Sequence, residues 1–229
     1  QMLLGVGAVA TKTYVDDVFS TEAWISAGSP KTITNGIDFA GKGGMVWTKS
    51  RSDAYNHTLS DTVRGGLKAV FSNTNGAEDV SGSGSNYVGS FNNNGVQLGT
   101  WGIVGGHSGS NGKTYATWSF RKAPGFFDVV KFTTTNTTNQ RVSHSLGCIP
   151  GLILLKNISA SQDWLVYHRS LGEDKYLQLS KTDAVGTFAG TWGPDGPTST
   201  DIGFKSNGFA PTIGDEYIAY IFAGGESTA

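Results

Sequence analysis

The chain has 229 residues, enough for one large β domain or two small ones. Charged residues make up only 15%, against a typical ~25%, while glycine reaches 33; such turn-rich composition points to β structure and excludes a helical or globally disordered chain. With 17 basic and 18 acidic residues the formal charge is −1, which excludes charge-driven binding to nucleic acid or to an anionic membrane.

The chain opens on an apolar run from Met2 to Ala10. It is too short to span a bilayer and has no basic flank, so it reads as a docking arm in which Met2, Leu3, Leu4 and Val6 contact another protein. Next, Gly36 to Gly43 nearly spells a phosphate loop. The Ser or Thr that would hold magnesium is missing and a strand follows, so a β-turn is expected. The stretch Thr62 to Ala69 has room for a single helical turn.

From residue 21 onward the sequence repeats itself. Gly44-Met45-Val46-Trp47-Thr48-Lys49 matches Gly151-Leu152-Ile153-Leu154-Leu155-Lys156, 107 positions on, and the same offset carries Leu59 onto Val166 and Val70 onto Leu177. Thr32 to Ile37 falls on Arg141 to Leu146, Phe91 to Val96 on Phe204 to Phe209, and Gly112 to Phe120 on Gly214 to Phe222. Within each copy apolar residues alternate with period two, as at Tyr217 to Phe222, and Asn-Gly pairs such as Asn35-Gly36 and Asn94-Gly95 mark hairpin turns. The expected fold is therefore all-β: an N-terminal arm over residues 1–20, then two tandem antiparallel β-sandwich repeats of jelly-roll or lectin-like character over 21–124 and 125–229.

The four histidines (57, 107, 144 and 168) and the one cysteine, Cys148, fall into no metal-ligand spacing, and no cofactor is expected. Calcium, which needs only loop aspartates and carbonyls, stays open. Asp61 to Arg64 and Asp163 to Arg169 mix charges and aromatics but read as networks beside the core. The adjacent pairs Glu78-Asp79, Glu173-Asp174 and Asp215-Glu216 read as solvated turn charges. No nucleophile elbow is present, so no catalytic residue is assigned. The loops that differ between copies, Glu78 to Ser90, Trp101 to Asn111 and Val185 to Thr200, set Tyr87, Trp101, His107, Phe188 and Trp192 among Gly, Ser and Asn. That composition suits stacking on sugar rings, and Tyr87, Trp101, His107 and Trp192 are the candidate ligand-binding residues; the same residues would also serve a subunit interface.

Several motifs in order resemble a domain of unknown function found in structural proteins of tailed bacteriophages: Tyr14 to Thr21, Thr34 to Asp38, Gly43 to Lys49, Asp61 to Gly65, Phe91 to Gly99, Tyr115 to Pro124, Asp163 to Gly172 and Tyr217 to Phe222. The resemblance implies a virion location, in tail-associated or fibre-like proteins of phages of marine bacteria and cyanobacteria, with concanavalin A-like lectin or glucanase character. The Glu-x-Asp-x-x-Glu strand of such glucanases is missing here. The resulting expectation is a non-enzymatic tail-fibre, spike or appendage subunit on the particle surface. It would assemble as a homo-oligomer, most simply a trimer, join other virion proteins through its arm and contact a host-surface glycan. A capsid decoration protein and a polysaccharide depolymerase are the alternatives.

Overall fold

A computed structural model describes residues 13–82, 85–135, 139–205 and 213–225. The proposed arm residues Met2, Leu3, Leu4 and Val6 lie outside them.

The chain is mostly β. After a single-turn helix α1 (Val15–Val18) come β1 (Phe19–Ile25), β2 (Thr32–Thr34), a single-turn helix α2 (Phe39–Lys42), β3 (Gly44–Ser50), β4 (Thr58–Asp61), β5 (Lys68–Phe71), β6 (Asp79–Val80), β7 (Val88–Asn92), β8 (Gly95–Leu98) and β9 (Thr114–Arg121). The second half carries β10 (Phe127–Thr133), β11 (Gln140–Ser143), β12 (Pro150–Asn157), β13 (Leu165–His168), β14 (Lys175–Tyr176), β15 (Gly186–Thr187), β16 (Asp201–Phe204) and β17 (Glu216–Ala223).

One local expectation is corrected and another is met. The segment resembling a phosphate loop is not a β-turn but the helical turn α2, because the Asp38 carboxylate accepts the Gly41 N–H at 2.7 Å and caps it, while Phe39 is drawn into the core. Within Thr62 to Ala69 a single turn of helical pairing does form, with the Gly65 N–H donating to Asp61 O at 3.0 Å and Asp61 Oδ1 capping it by accepting the N–H groups of Val63 and Arg64, before β5 begins at Lys68.

All strand pairs among the described residues are antiparallel. They form a six-stranded sheet ordered β1-β9-β3-β4-β5-β6, a four-stranded sheet β10-β17-β12-β13, a three-stranded sheet β2-β8-β7 and the pairs β11-β16 and β14-β15. The sheets stack through three cores. Val46 and Tyr115 pack one face of the six-stranded sheet on Ile33, Val88, Val96 and Leu98 of the three-stranded one. Its other face, through Met45, Leu59 and Val70, meets Val129, Leu154, Val166 and Tyr220 of the four-stranded sheet. The far side of that sheet, through Ile153, Leu155, Ala219 and Ile221, packs on Val142, Ile202 and Phe204. This layering explains the sequence of β17. Tyr217, Ala219 and Ile221 enter one core while Ile218 and Tyr220 enter another, so a strand buried on both faces is apolar at both parities.

Pairing recurs between the halves. Trp47 lies opposite Trp118 and Leu59, and Leu154, 107 positions on, lies opposite Tyr220 and Val166. Lys49 and Lys156 recur as well. Lys156 Nζ donates to the carbonyls of Asn157 at 2.7 Å, Gln162 at 2.9 Å and Asn75 at 3.3 Å. Lys49 Nζ donates to those of Ser50 at 2.5 Å, Asp53 at 3.4 Å and Tyr55 at 3.5 Å, and Ser50 and Tyr55 precede Asn157 and Gln162 by the same 107. Later in the repeat the alignment needs correction. Ile33 pairs with Val96 and Val142 with Ile202, which makes β16 the counterpart of β8 and Phe204 that of Leu98 rather than of Phe91. An Asn-Gly pair marks a turn wherever positive φ is needed and says nothing about register.

The halves are joined by buried polar contacts as well as by their sheets. Arg64, with no exposed side-chain surface, binds Asp61 at 2.6 Å and Tyr220 at 2.8 Å, and reaches Glu78 at 3.4 Å. Tyr220 in turn donates to Asp61 at 2.9 Å, and burial raises its hydroxyl pKa well above the ordinary value. Trp164 donates its indole N–H to Phe71 O at 2.9 Å. Both charged stretches singled out in the sequence are thus cross-braces.

Candidate functional site

The connection from β8 to β9, residues 99–113, is folded by glycines that nothing larger could replace. Gly105 has φ +79, and a Cβ there would meet Trp24 at 2.5 Å; one on Gly106 would meet Gly99 O at 1.8 Å. This close packing turns the chain through two short 3-10 turns, Gly102–Val104 and Ser108–Ser110, with Trp101 and His107 immediately before them. The first turn is pinned at Gly102 O, which accepts hydrogen bonds from Tyr115 Oη at 2.7 Å and Ser110 Oγ at 3.1 Å. The start of the loop is fixed by Asn86, whose Oδ1 accepts the Thr100 N–H at 2.9 Å.

These constraints set the Trp101 ring parallel to Tyr87, with centroids 6.3 Å apart and planes at 12°. Tyr87 is buried, and its other neighbour is the edge of Phe71. Its hydroxyl donates to Asp79 Oδ2; burial first and then the carboxylate push its pKa up, so the phenol remains a donor. Trp101 is 40% exposed and Tyr55 41%, and both line an open cleft of about 600 Å3 with Phe71, Asp79, Tyr87 and His107. That volume lies within the ~300–1,000 Å3 of small-molecule sites. His107 Nδ1 accepts the Gly109 N–H at 3.1 Å, which leaves the proton of the neutral ring on Nε2. Ser85 and Thr100 complete the polar rim.

Three of the four residues chosen from sequence therefore converge: Tyr87, Trp101 and His107. Trp192 does not join them. It is fully buried, donates its indole N–H to Lys175 O at 2.9 Å and packs edge-on against Tyr167, so neither face of its ring is free for a ligand. Sequence reading missed Tyr55 and Asp79. Glu78 and Asp79 read alike as solvated charges; Glu78 instead pairs with Arg64 and with Lys68 at 3.0 Å, while Asp79 is exposed as expected but lines the cleft. Period-two alternation over Glu78-Asp79 was the available signal. Of the other carboxylate pairs, Asp215 accepts from Asn157 at 2.8 Å, Glu216 pairs with Lys131 at 2.6 Å and Asp174 accepts the Gly190 N–H at 2.7 Å.

Among the described residues no three His, Cys, Asp or Glu side chains are grouped to hold a metal ion, and no helix is long and apolar enough to cross a membrane. Asp79 is the one carboxylate among the described residues that line the cleft. Searches of curated proteins and of solved structures found no match. A family model does match, over residues 15–227, nearly the whole chain, and the protein belongs to that family, a domain of unknown function, DUF7483.

Proposed function

We propose that this chain is a non-enzymatic structural protein of a phage particle, an appendage subunit that holds a host-surface glycan in the cleft of its first half. The observation that carries the reading is the exposed indole of Trp101, braced from behind by Tyr87 and faced by a rim of hydroxyl, imidazole and carboxylate groups. A rigid aromatic face covers the apolar C–H side of a pyranose, and fixed donors and acceptors take its hydroxyls. The motif resemblance supports the virion location. A lone carboxylate in the cleft supports binding over glycoside hydrolysis, which uses two. The recurring register and the paired lysines support a duplicated sandwich as the scaffold.

Self-association belongs to the same proposal. Phe19, Trp47, Trp118 and Phe120 line an apolar groove of about 330 Å3 on the face of the six-stranded sheet that also packs on the four-stranded one, toward its β1 edge, a surface of the kind a homo-oligomer covers. Light scattering of the purified chain reads its assembly state; a trimer supports this part and a strict monomer at micromolar concentration removes it.

The binding claim is tested on an array of bacterial surface glycans. Wild-type protein is expected to retain a saccharide that Trp101→Ala loses, with melting temperature unchanged. Equal retention by the two proteins, or release of shortened sugar by wild type, would overturn the reading.

A further inference from the structure

We infer that the cleft sorts sugars by charge, accepting neutral or ammonium-bearing pyranoses and turning away acidic ones, with Asp79 as the specificity-determining residue. This rests on the glycan reading of the same cleft and adds the class of sugar it takes.

The carboxylate is held in a fixed place. Tyr87 is buried between the edge of Phe71 and the plane of Trp101, and its hydroxyl donates to Asp79 Oδ2. Asp79 is thereby fixed beside the aromatic wall, where a carboxylate accepts hydrogen bonds from the hydroxyls of a stacked ring. No lysine or arginine is among the described residues lining the cleft to offset its charge. The nearby cations are engaged elsewhere: Lys68 with Glu78 at 3.0 Å, Lys113 with Asp53 at 2.8 Å, and Lys49 with three backbone carbonyls.

A neutral sugar meets a strong acceptor, and an ammonium group gains both the carboxylate and the electron-rich face of the indole. A uronic acid sets a second carboxylate against the first at the rim of the cleft, and like charges there repel. Sequence composition hides this selectivity, because the net charge of −1 describes the whole surface and the sorting depends on one carboxylate held at the rim of the cleft.

The test uses the purified full chain and three oligosaccharide probes matched in linkage and length: a neutral glucan, its 2-amino counterpart and its uronic acid counterpart, titrated by calorimetry. The variants are Asp79→Asn, isosteric and still able to accept from Tyr87, and Trp101→Ala. The expected result is that wild type binds the first two and binds the acidic probe at least about tenfold more weakly. Asp79→Asn is expected to weaken the amino probe most and to erase the discrimination against the acidic one. If the acidic probe binds wild type as tightly as the neutral probe, or if Asp79→Asn leaves their ratio unchanged while Trp101→Ala abolishes binding, the charge-sorting inference is overturned and the glycan reading survives. If no probe binds, or Trp101→Ala binds like wild type, both fall together.

Discussion

Trp101 and Trp192 stand in glycine-rich connections that differ between the two halves, and they meet opposite fates. The first half lays three strands, β2, β8 and β7, over its sheet, so the 99–113 connection has only to bury Val104 in a small cluster with Ala69 and Tyr87, and Trp101 is left at an opening. Among the described residues the second half lays only β11 and β16. There the connection before β16 runs alongside it, with Lys205 N–H donating to Thr191 O at 2.9 Å, and Trp192 drops into the space beside Val142, Ile202 and Phe204. Trp101 is left exposed where three described strands cover the sheet; where the described residues supply two, the aromatic residue of the connection covers the core instead.

The contrast is broken most severely from the buried side. Trp192→Ala should cost about 3–5 kcal/mol, read as a lowered midpoint in urea unfolding, because it opens a large cavity and orphans Lys175 O. Arg64→Met should cost a comparable ~3–5 kcal/mol, since Asp61 would be left buried without its cation. A smaller loss than about 1 kcal/mol in either case would mean that the second core, or the joint between the halves, is looser than described.

The paired lysines sharpen the comparison at the next scale. Lys156→Met should cost about 1–3 kcal/mol, and Lys49→Met less, because Lys156 is buried while Lys49 is partly exposed. Burial also lowers the Lys156 pKa from 10.5 to about 8. Between those values the unfolded chain binds more protons than the folded one, so stability should rise with pH there, and the rise should vanish in Lys156→Met. The tyrosines act in the other direction. Burial raises Tyr217 and Tyr220 above their ordinary 10.0, so stability is complete below that value and should fall as pH climbs past it. Denaturant melts from pH 7 to 11 would show the maximum between the two effects.

At the small end, Trp101→Ala should change stability by no more than about 0.5 kcal/mol, since the ring is half in solvent and its loop is held by backbone and glycine contacts.

Much of the scaffold was legible because it is written in period and offset. Val46 against Trp47, or Ala219 against Tyr220, announces strands, and the 107-residue spacing of Lys49 and Lys156 carries through to matched carbonyl contacts. The later register was not legible, since the two Phe-x-x-Asn-Gly stretches look alike in sequence, yet Phe91 pairs with Val96 inside its own hairpin whereas Phe204 pairs with Gln140. Of the site, aromatic residues among glycines pointed to the right loops, and Tyr87, Trp101 and His107 converge there. The same signal failed for Trp192, because composition cannot tell a ring held over an opening from one used to cover a core. Asp79 was hidden by its neighbour: two adjacent carboxylates look alike in sequence, and only the pleat sends Glu78 to Arg64 and Asp79 to Tyr87.

The most direct measurement follows the indole N–H resonances of the six tryptophans during titration with a saccharide retained on the array, assigned with Trp101→Phe and Trp192→Phe. The account expects the Trp101 resonance to move saturably while that of Trp192 stays in place. Saturable binding that leaves Trp101 unmoved would contradict it.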